Sequence, residues 1–112
     1  MARAGDLDLE ETQGDDWRVI LTFQDVDSQP IDMSDGDYSA QVRKTATSST
    51  LLAEFTVDDS DAADGEIVLT LDAEDTAELP AVCVWDFQRV TGAGETVTIL
   101  SGSIRVRREV TR

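Results

Sequence analysis

The feature that most constrains this chain is a two-residue alternation of apolar and polar side chains, repeated in short runs. Within residues 17–24 the odd-numbered side chains are all apolar, namely Trp17, Val19, Leu21 and Phe23. Neighbouring side chains of a β-strand point to opposite faces of the sheet, so this spacing predicts strands with one buried face. The predicted strands cover residues 17–24, 38–43, 51–57, 67–71, 82–90 and 96–110.

The stretches between these strands are rich in Asp, Ser, Gly and Pro, which favour turns. Six to eight short strands separated by turns, in a chain of 112 residues, predict an all-β, two-sheet Greek-key sandwich. A chain of this length has room for one domain, which we place at residues 17–112. Residues 1–16 form a polar N-terminal arm, in which the spacing of Leu7 and Leu9 suits a short edge strand.

One segment does not alternate. Residues 72–79 include several good helix formers and end before Pro80, which cannot continue a helix. Asp72 is the candidate N-cap, because a short carboxylate can accept a hydrogen bond from the first free backbone N–H groups. We therefore expect one short helical turn in an otherwise all-β chain.

The predicted core consists of the apolar faces of the strands. Its members are Trp17, Val19, Leu21, Phe23, Phe55, Ile67, Leu69, Leu71, Trp85 and Phe87. The final strand changes parity, because Val97 and Ile99 are odd-numbered whereas Ile104 and Val106 are even-numbered. A strand cannot face one core across such a change without slipping by a residue, so we predict a bulge or break at residues 101–103.

The chain is strongly acidic, with 24 Asp and Glu residues against 9 Lys and Arg residues, no histidine and a net charge of -15. Such a surface repels phosphate groups, so we expect neither nucleic acid nor a membrane as a partner. The absence of a long apolar run predicts a soluble, unexported protein. Aspartate predominates and Lys44 is the only lysine, which is typical of a halophilic protein and equally of an acidic protein from a GC-rich bacterium.

The residue types that build common catalytic centres are scarce. Without histidine there can be no Ser-His or Cys-His pair, and adjacent carboxylates are expected from the composition alone. We predict no enzymatic activity and neither a metal nor a cofactor. Cys83, the only cysteine, has apolar neighbours and is predicted to be a buried structural thiol. The acidic residues 58–65 lack the spacing of an EF-hand and suit a solvated turn, with weak Ca²⁺ or Mg²⁺ binding as the alternative.

The basic residues concentrate at the end of the sequence. Four of the nine lie within the last eight positions, namely Arg105, Arg107, Arg108 and Arg112. We predict that they form a positive docking interface along the edge of the last strand, because opposite charges steer subunits together and an edge strand needs cover. Alternatively, Arg105 and Arg107 merely occupy the solvent-facing side of that strand.

Several segments carry a pattern beyond composition. They are residues 13–17, 30–33, 38–43, 65–69, 71–79, 85–88, 100–106 and 110–112. Together they resemble the small immunoglobulin-like virion proteins of tailed viruses, a group that includes the immunoglobulin-like domain at the start of baseplate upper proteins. The resemblance extends from about Asp6 to Arg112 and consists of strands and turns, with no active site attached.

The resemblance implies an immunoglobulin-like sandwich and a structural role in the virion, most directly as an assembly or adaptor subunit of the tail or baseplate. It implies other virion structural proteins and further copies of the chain as partners, and assembly in the host cytoplasm. With the acidic composition, it implies a virus of a halophilic archaeon or of a GC-rich bacterium. A capsid decoration protein of the head and a cellular adhesion or carbohydrate-binding module remain as alternatives, because one fold serves many functions.

Overall fold

A computed structural model describes residues 5–34, 36–45, 47–91 and 94–108. Its strands are β1 (Gly5–Asp6), β2 (Leu9–Thr12), β3 (Trp17–Thr22), β4 (Asp37–Arg43), β5 (Leu51–Asp58), β6 (Glu66–Leu71), β7 (Val82–Val90) and β8 (Thr96–Arg107). The helix α1 spans Ala73–Thr76, and a 3-10 turn spans Ala62–Asp64. In β3, burial alternates residue by residue, as its period of two predicts.

The strands form two layers that share β5. Sheet A contains β1 and β2, then β8, β7, β4 and β5, whereas sheet B contains β5, β6 and β3. Phe55 pairs with Ala40 of β4, and the following residues Thr56, Val57 and Asp58 pair with β6. The sheet therefore curls from one layer into the other and encloses the core. The predicted all-β sandwich with one short helical turn is confirmed.

The core contains the predicted side chains from both layers. All of them except Phe23 are buried. Phe23 is half-buried at the rim, because β3 ends at Thr22, and its ring centroid lies 6.0 Å from that of Phe87. The Trp85 indole packs edge-on against Phe55, with 6.1 Å between ring centroids. Burial of large aromatic and aliphatic side chains is the main stabilising contribution in a sandwich of this size.

Residues of the N-terminal arm pair with β8 in parallel. Gly5 and Asp6 lie opposite Leu100 and Ser101, and Leu9 begins the second stretch of pairing, opposite Ile104. Because β7 pairs with the other side of β8, the last strand has a partner on both sides. The expectation that the last strand is a sheet edge is therefore wrong. Between Leu100 and Arg107 the arm covers the side of β8 that would otherwise be an edge.

The parity change in β8 has a different position from the one predicted. Phe87 pairs with Leu100 and Gln88 pairs with Thr98, so the extra residue of the bulge is Ile99 and not a member of 101–103. Gly102 itself lies in regular pairing opposite Trp85. A glycine in a strand fits either a bulge or a close approach of another backbone, and here it serves the second purpose.

The close approach at Gly102 involves the arm. A Cβ atom at Gly102 would lie 2.1 Å from the carbonyl oxygen of Leu7. That carbonyl accepts a hydrogen bond from Trp85 Nε1 at 2.8 Å, and Asp8 Oδ1 accepts one from the backbone N–H of Ser103 at 2.9 Å. These contacts hold Leu7 and Asp8, the two arm residues that connect β1 to β2, against β8.

The helix α1 begins as predicted but has a different cap. Asp72 occupies the N-cap position without a capping hydrogen bond from its side chain. Asp16 Oδ1 instead accepts the hydrogen bond of the Ala73 N–H at 2.8 Å. The buried Thr76 hydroxyl donates to the Asp15 carbonyl at 2.8 Å, so the helix is tied to the turn before β3. In the part of the chain that the structure describes, no helix has the length and apolarity needed to cross a membrane.

Candidate functional site

The predicted docking arginines lie at one end of sheet A. Arg105 and Arg107 are exposed on the outer face of β8, Arg108 follows the strand and is also exposed, and Arg112 lies outside the described residues. We call Arg105, Arg107 and Arg108 the arginine patch. Arg107 Nε lies 3.3 Å from Glu10 Oε1, and both side chains are more than half exposed. Such an exposed ion pair contributes little to stability, so the patch remains available for other contacts.

An exposed apolar side chain adjoins the arginine patch. Val82 lies opposite Arg105 in the pairing of β7 with β8 and is 60% exposed. Because the backbone of β8 is already paired on both sides, a partner would meet this region through side chains and not through an open strand edge. The docking interface predicted from the sequence is therefore restricted to the outer face of sheet A.

A groove lies farther along the same face. It has a volume of about 280 Å³ and is lined by Gln41, Arg43, Val84, Trp85, Asp86, Ser101 and Gly102. The register of β4, β7 and β8 explains the grouping, since Gln41, Asp86 and Ser101 lie side by side in one row across the three strands. Polar side chains of this row are half-buried although they face away from the core.

Asp86 is the chemically distinctive residue of the groove. Its Oδ1 atom is buried and has no hydrogen-bond partner among the described residues. Burial raises the pKa of this carboxyl, while the nearby Arg43 guanidinium and the Gln41 backbone N–H oppose the rise. A buried acceptor without a donor destabilises a fold. Packing alone would therefore favour an apolar side chain at the position of Asp86.

The outer face of sheet A carries little net charge. Arg43, Arg105 and Arg107 are opposed by five acids, which by register are Asp6, Glu10, Asp37, Glu54 and Asp86. Three positive and five negative charges leave -2 on this face, compared with -15 for the whole chain. Most of the remaining acids lie in the loops between strands. This sheet face can therefore approach another acidic protein with little local repulsion.

The other residues singled out by sequence take structural positions. Cys83 is fully buried on the core face of β7, as predicted, and burial raises the pKa of its thiol to about 11. A thiol protonated at neutral pH and shielded from solvent is a poor nucleophile.

The acidic segment 58–65 folds back on itself. Ala62 in its 3-10 turn is buried, and Asp58 Oδ1 accepts hydrogen bonds from the Ser60 backbone and hydroxyl. Gly65 adopts a φ of 77° with its Cα next to the carbonyl of Phe23, where a side chain would clash. Across residues 5–34, 36–45, 47–91 and 94–108, no three Cys, Asp or Glu side chains converge as metal ligands would.

The polar side chains Gln41, Arg43 and Asp86 of the groove were not singled out from the sequence. Gln41 and Arg43 precede Asp86 by a long stretch of chain and meet it only because β4 pairs with β7. One local signal was present: Asp86 lies between Trp85 and Phe87, so its acidic side chain interrupts the apolar run of residues 81–87. A charged residue at such a position is a candidate for function, since packing does not require it.

Comparisons with known proteins relate this geometry to a fold. No protein-family description and no curated protein matches the sequence. The structure of CopC from Methylosinus trichosporium OB3b is similar, with a TM-score of 0.51 and 15% identity over 93% of this chain and 88% of CopC. The fold is an immunoglobulin-like β-sandwich.

A second similar immunoglobulin-like structure comes from a protein complex. It is a chain in the crystal structure of ICOS with ICOS-L and an anti ICOS-L VNAR domain, with a TM-score of 0.52 and 10% identity. The alignment covers 95% of this chain and 56% of that one, so this chain spans little more than half of its length. Neither structure is described as an enzyme or as viral. At these identities the likeness concerns the fold alone.

Proposed function

We propose that this protein is a non-enzymatic structural subunit of a tailed virus particle, acting in assembly or as an adaptor in the tail or baseplate. The observation that carries the proposal is the arginine patch, which adjoins exposed Val82 on the outer face of sheet A in a very acidic chain. The virion context comes from the sequence resemblance. Its partners are other virion structural proteins and further copies of itself, and it is assembled into the virion in the host cytoplasm.

The chemistry of the patch suits protein docking. Guanidinium groups form paired hydrogen bonds with carboxylates, and arginine is enriched at protein interfaces. Arg105 and Arg107 project from a strand held on both sides, so their backbone positions are fixed before a partner arrives. A rigid patch loses less conformational entropy on binding than a mobile segment.

Nothing in the described residues supplies a reactive centre as an alternative. Cys83 is sealed in the core, histidine is absent from the sequence, and the carboxylates of residues 58–65 are engaged in turns or face solvent. These observations favour binding over catalysis as the role of the outer face of sheet A.

The proposal is tested by replacing Arg105, Arg107 and Arg108 with serine in the virus. The isolated variant should keep the wild-type melting temperature within a few degrees, since exposed charges contribute at most about 1 kcal/mol each. Loss of three favourable charge contacts should weaken docking by roughly 100-fold or more. The amount of the protein in purified virions, measured by quantitative mass spectrometry, should therefore fall sharply.

A matched control separates this effect from a general change of charge. The double variant Arg18→Ser with Lys44→Ser removes exposed positive charges elsewhere and should be incorporated normally, whereas Arg105→Ser with Arg107→Ser should not. Wild-type occupancy of the triple variant would refute docking through the patch. Immunogold labelling of intact particles distinguishes a tail or baseplate position from the head, and labelling of the head would overturn the tail assignment.

A further inference from the structure

The strand β3 is an uncovered edge of sheet B. Among the described residues it pairs only with β6, whereas the arm covers residues 100–107 of β8 in sheet A. It is six residues long, contains neither proline nor glycine, and pairs with β6 without a register shift. Proteins usually protect such an edge with a proline, a bulge or an inward-facing charge. Because Trp17–Thr22 has none of these, its free side is suited to pairing with another strand.

The backbone groups of the even-numbered residues in β3 point to this free side. Phe23, just after the strand, donates its N–H to the Gly65 carbonyl at 2.8 Å, which continues the pairing with β6. In an antiparallel strand, successive residues direct their N–H and C=O groups alternately to the two sides. The odd-numbered residues therefore bond β6, and the N–H and C=O groups of Arg18, Ile20 and Thr22 face outward from the edge of the sheet.

The side chains along this edge carry little charge. Ile20 is 53% exposed and lies opposite Val68 of β6 on the outer face of sheet B. Residues 17–24 include one basic and no acidic side chain, although the whole chain carries a net charge of -15. A second copy can therefore approach along β3 with less repulsion than along the acidic loops.

A two-fold axis perpendicular to the sheet matches this edge with itself. Such an axis reverses the strand direction and keeps the outer face on the outside, so two copies of β3 become antiparallel neighbours. With the axis at Ile20, Arg18 lies opposite Thr22 of the second copy, and the outward backbone groups of all three residues are bonded. A shift of two residues in either direction would place Ile20 opposite a polar side chain. The side chains therefore favour the register with Ile20 opposite its own copy.

The outer face is also complementary beyond the two central strands. Ile20, Val68 and their copies form one apolar row of four side chains. In the neighbouring row, Arg18 is followed by Thr22 and then by Glu66 of the second copy, so no like charge faces it. Two strand spacings separate the backbones of Arg18 and that Glu66, about 10 Å, which the two long side chains can span. This exposed pair adds little affinity but is consistent with the register.

We propose that β3 pairs with β3 of a second copy about this two-fold axis, so that the two copies share one continuous sheet. This inference deepens the proposed function by naming how two copies meet, and its purpose in a particle rests on that function. About six backbone hydrogen bonds along a short strand make an interface below the usual size for a stable complex. The expected product in solution is a weak, reversible dimer with a dissociation constant of roughly 100 µM.

Disulfide trapping tests the pairing and its register. The two copies of residue 20 would have Cα atoms about 5.5 Å apart, within disulfide range, and the fully buried Cys83 should not compete. Under mild oxidation, Ile20→Cys should link at least about tenfold faster than Val97→Cys, an exposed control on β8, because pairing concentrates the thiols. Arg18→Cys and Thr22→Cys should each link slowly alone and rapidly when mixed, since these positions face each other only between copies.

Sedimentation measures the association itself. Wild-type protein at about 0.15 M salt should show dimers that increase with concentration up to about 500 µM. Ile20→Lys should raise the dissociation constant at least about tenfold, because it places like charges opposite each other at the axis. Val97→Lys makes the same change at an exposed position of β8 and should leave the dimer intact. If Ile20→Lys does not fold, Ile20→Thr keeps a β-branched side chain and should weaken the dimer several fold.

Three results would overturn the inference. They are a wild-type protein that stays monomeric up to about 500 µM, a folded Ile20→Lys variant that dimerises like the wild type, and an Arg18→Cys variant that links to itself as fast as to Thr22→Cys. Dimers with the predicted register, together with normal virion incorporation of the arginine-patch variant, would refute docking through the patch and leave the pairing of β3 standing. A strictly monomeric protein would refute the pairing whatever the incorporation of that variant. The two proposals therefore fail separately.

Discussion

Asp86 lowers the stability of the fold at a position where packing does not require an acidic side chain. Its neighbours Trp85 and Phe87 point into the core, while its own carboxyl is half-buried on the opposite face, with Oδ1 unbonded among the described atoms. The pKa of this carboxyl is raised by burial, so the folded protein holds the proton more tightly than the unfolded chain does. Stability is then greatest below the ordinary Asp range and decreases as the pH rises through the folded-state pKa.

The variant Asp86→Asn should therefore be more stable than the wild type at pH 7, because it removes a carboxylate whose charged form burial disfavours. After allowance for solvent screening, the gain should be up to about 1 kcal/mol, or a few degrees in melting temperature. The difference should shrink as the pH falls below about 4, because both side chains are then neutral. Calorimetry on dilute protein between pH 3 and pH 7 measures it, with Glu54→Gln, an exposed neighbour on β5, as the control. A variant less stable than the wild type at pH 7 would show that Asp86 is already satisfied in the monomer.

At the scale of secondary-structure elements, the pairing of the arm with β8 depends on one missing side chain. The Leu7 carbonyl occupies the space that a Cβ at Gly102 would fill, and it bonds Trp85 there. The Asp8 carboxylate replaces a backbone acceptor for the Ser103 N–H. The arm, β8 and β7 are thus held together by contacts within a few residues of Gly102.

Gly102→Ala should release the arm from β8. A methyl group 2.1 Å from the Leu7 carbonyl oxygen cannot be accommodated without moving backbone. Loss of the Trp85 and Asp8 hydrogen bonds should lower the free energy of unfolding by about 1–3 kcal/mol, since each contributes about 0.5–1.5 kcal/mol. Urea denaturation gives the energy, and faster exchange of the Leu7 amide locates the change. Ser101→Ala, whose side chain faces away from the core, should differ from the wild type by less than about 0.5 kcal/mol. Unchanged stability of Gly102→Ala would mean that the arm is not held at this point.

The same elements show which features the sequence could predict. Alternation is local, so the main strands were predicted and nine of the ten predicted core side chains are buried. Phe23 departs only because β3 ends before it. Gly102 was assigned to a bulge because a glycine in a strand is compatible with either a bulge or a close approach of another backbone. The residue that decides between them, Leu7, is 95 positions away in sequence. The cap of α1 was assigned to Asp72, but the distant Asp16 provides it. Features created by pairing between remote segments have no local pattern, and the Asp86 groove belongs to that class.

At the scale of the whole molecule, the charge is unevenly distributed. The outer face of sheet A carries only -2, whereas the connections between strands, such as residues 59–65 and 72–78, carry many of the carboxylates. Like charges at loop distances repel one another and disfavour the compact state, and salt screens that repulsion. The fold should therefore be sensitive to ionic strength mainly through its loops and much less through its sheet faces.

The melting temperature should rise by several degrees between about 0.05 and 0.5 M NaCl, where the Debye length falls from about 14 to 4 Å. A continued steep rise to molar salt would support a halophilic origin, and a plateau would favour the GC-rich bacterium. Replacing Asp59, Asp61 and Asp64 with asparagine removes three loop charges and should reduce the salt dependence. A triple variant with the wild-type salt response would show that these loop charges do not control stability.

The parallel pairing of the arm with β8 also determines the order in which the fold can be completed during synthesis. Segments that lie about 95 positions apart become partners, and the arm leaves the ribosome long before β8 exists. Contacts so remote in sequence close late and make folding slow compared with that of proteins built from local contacts. Until β8 is made, the arm has no neighbouring strand, and the indole of Trp85 has no Leu7 carbonyl held in place beside it. The arm is therefore the first part of the described fold to be synthesised and the last to acquire its partner.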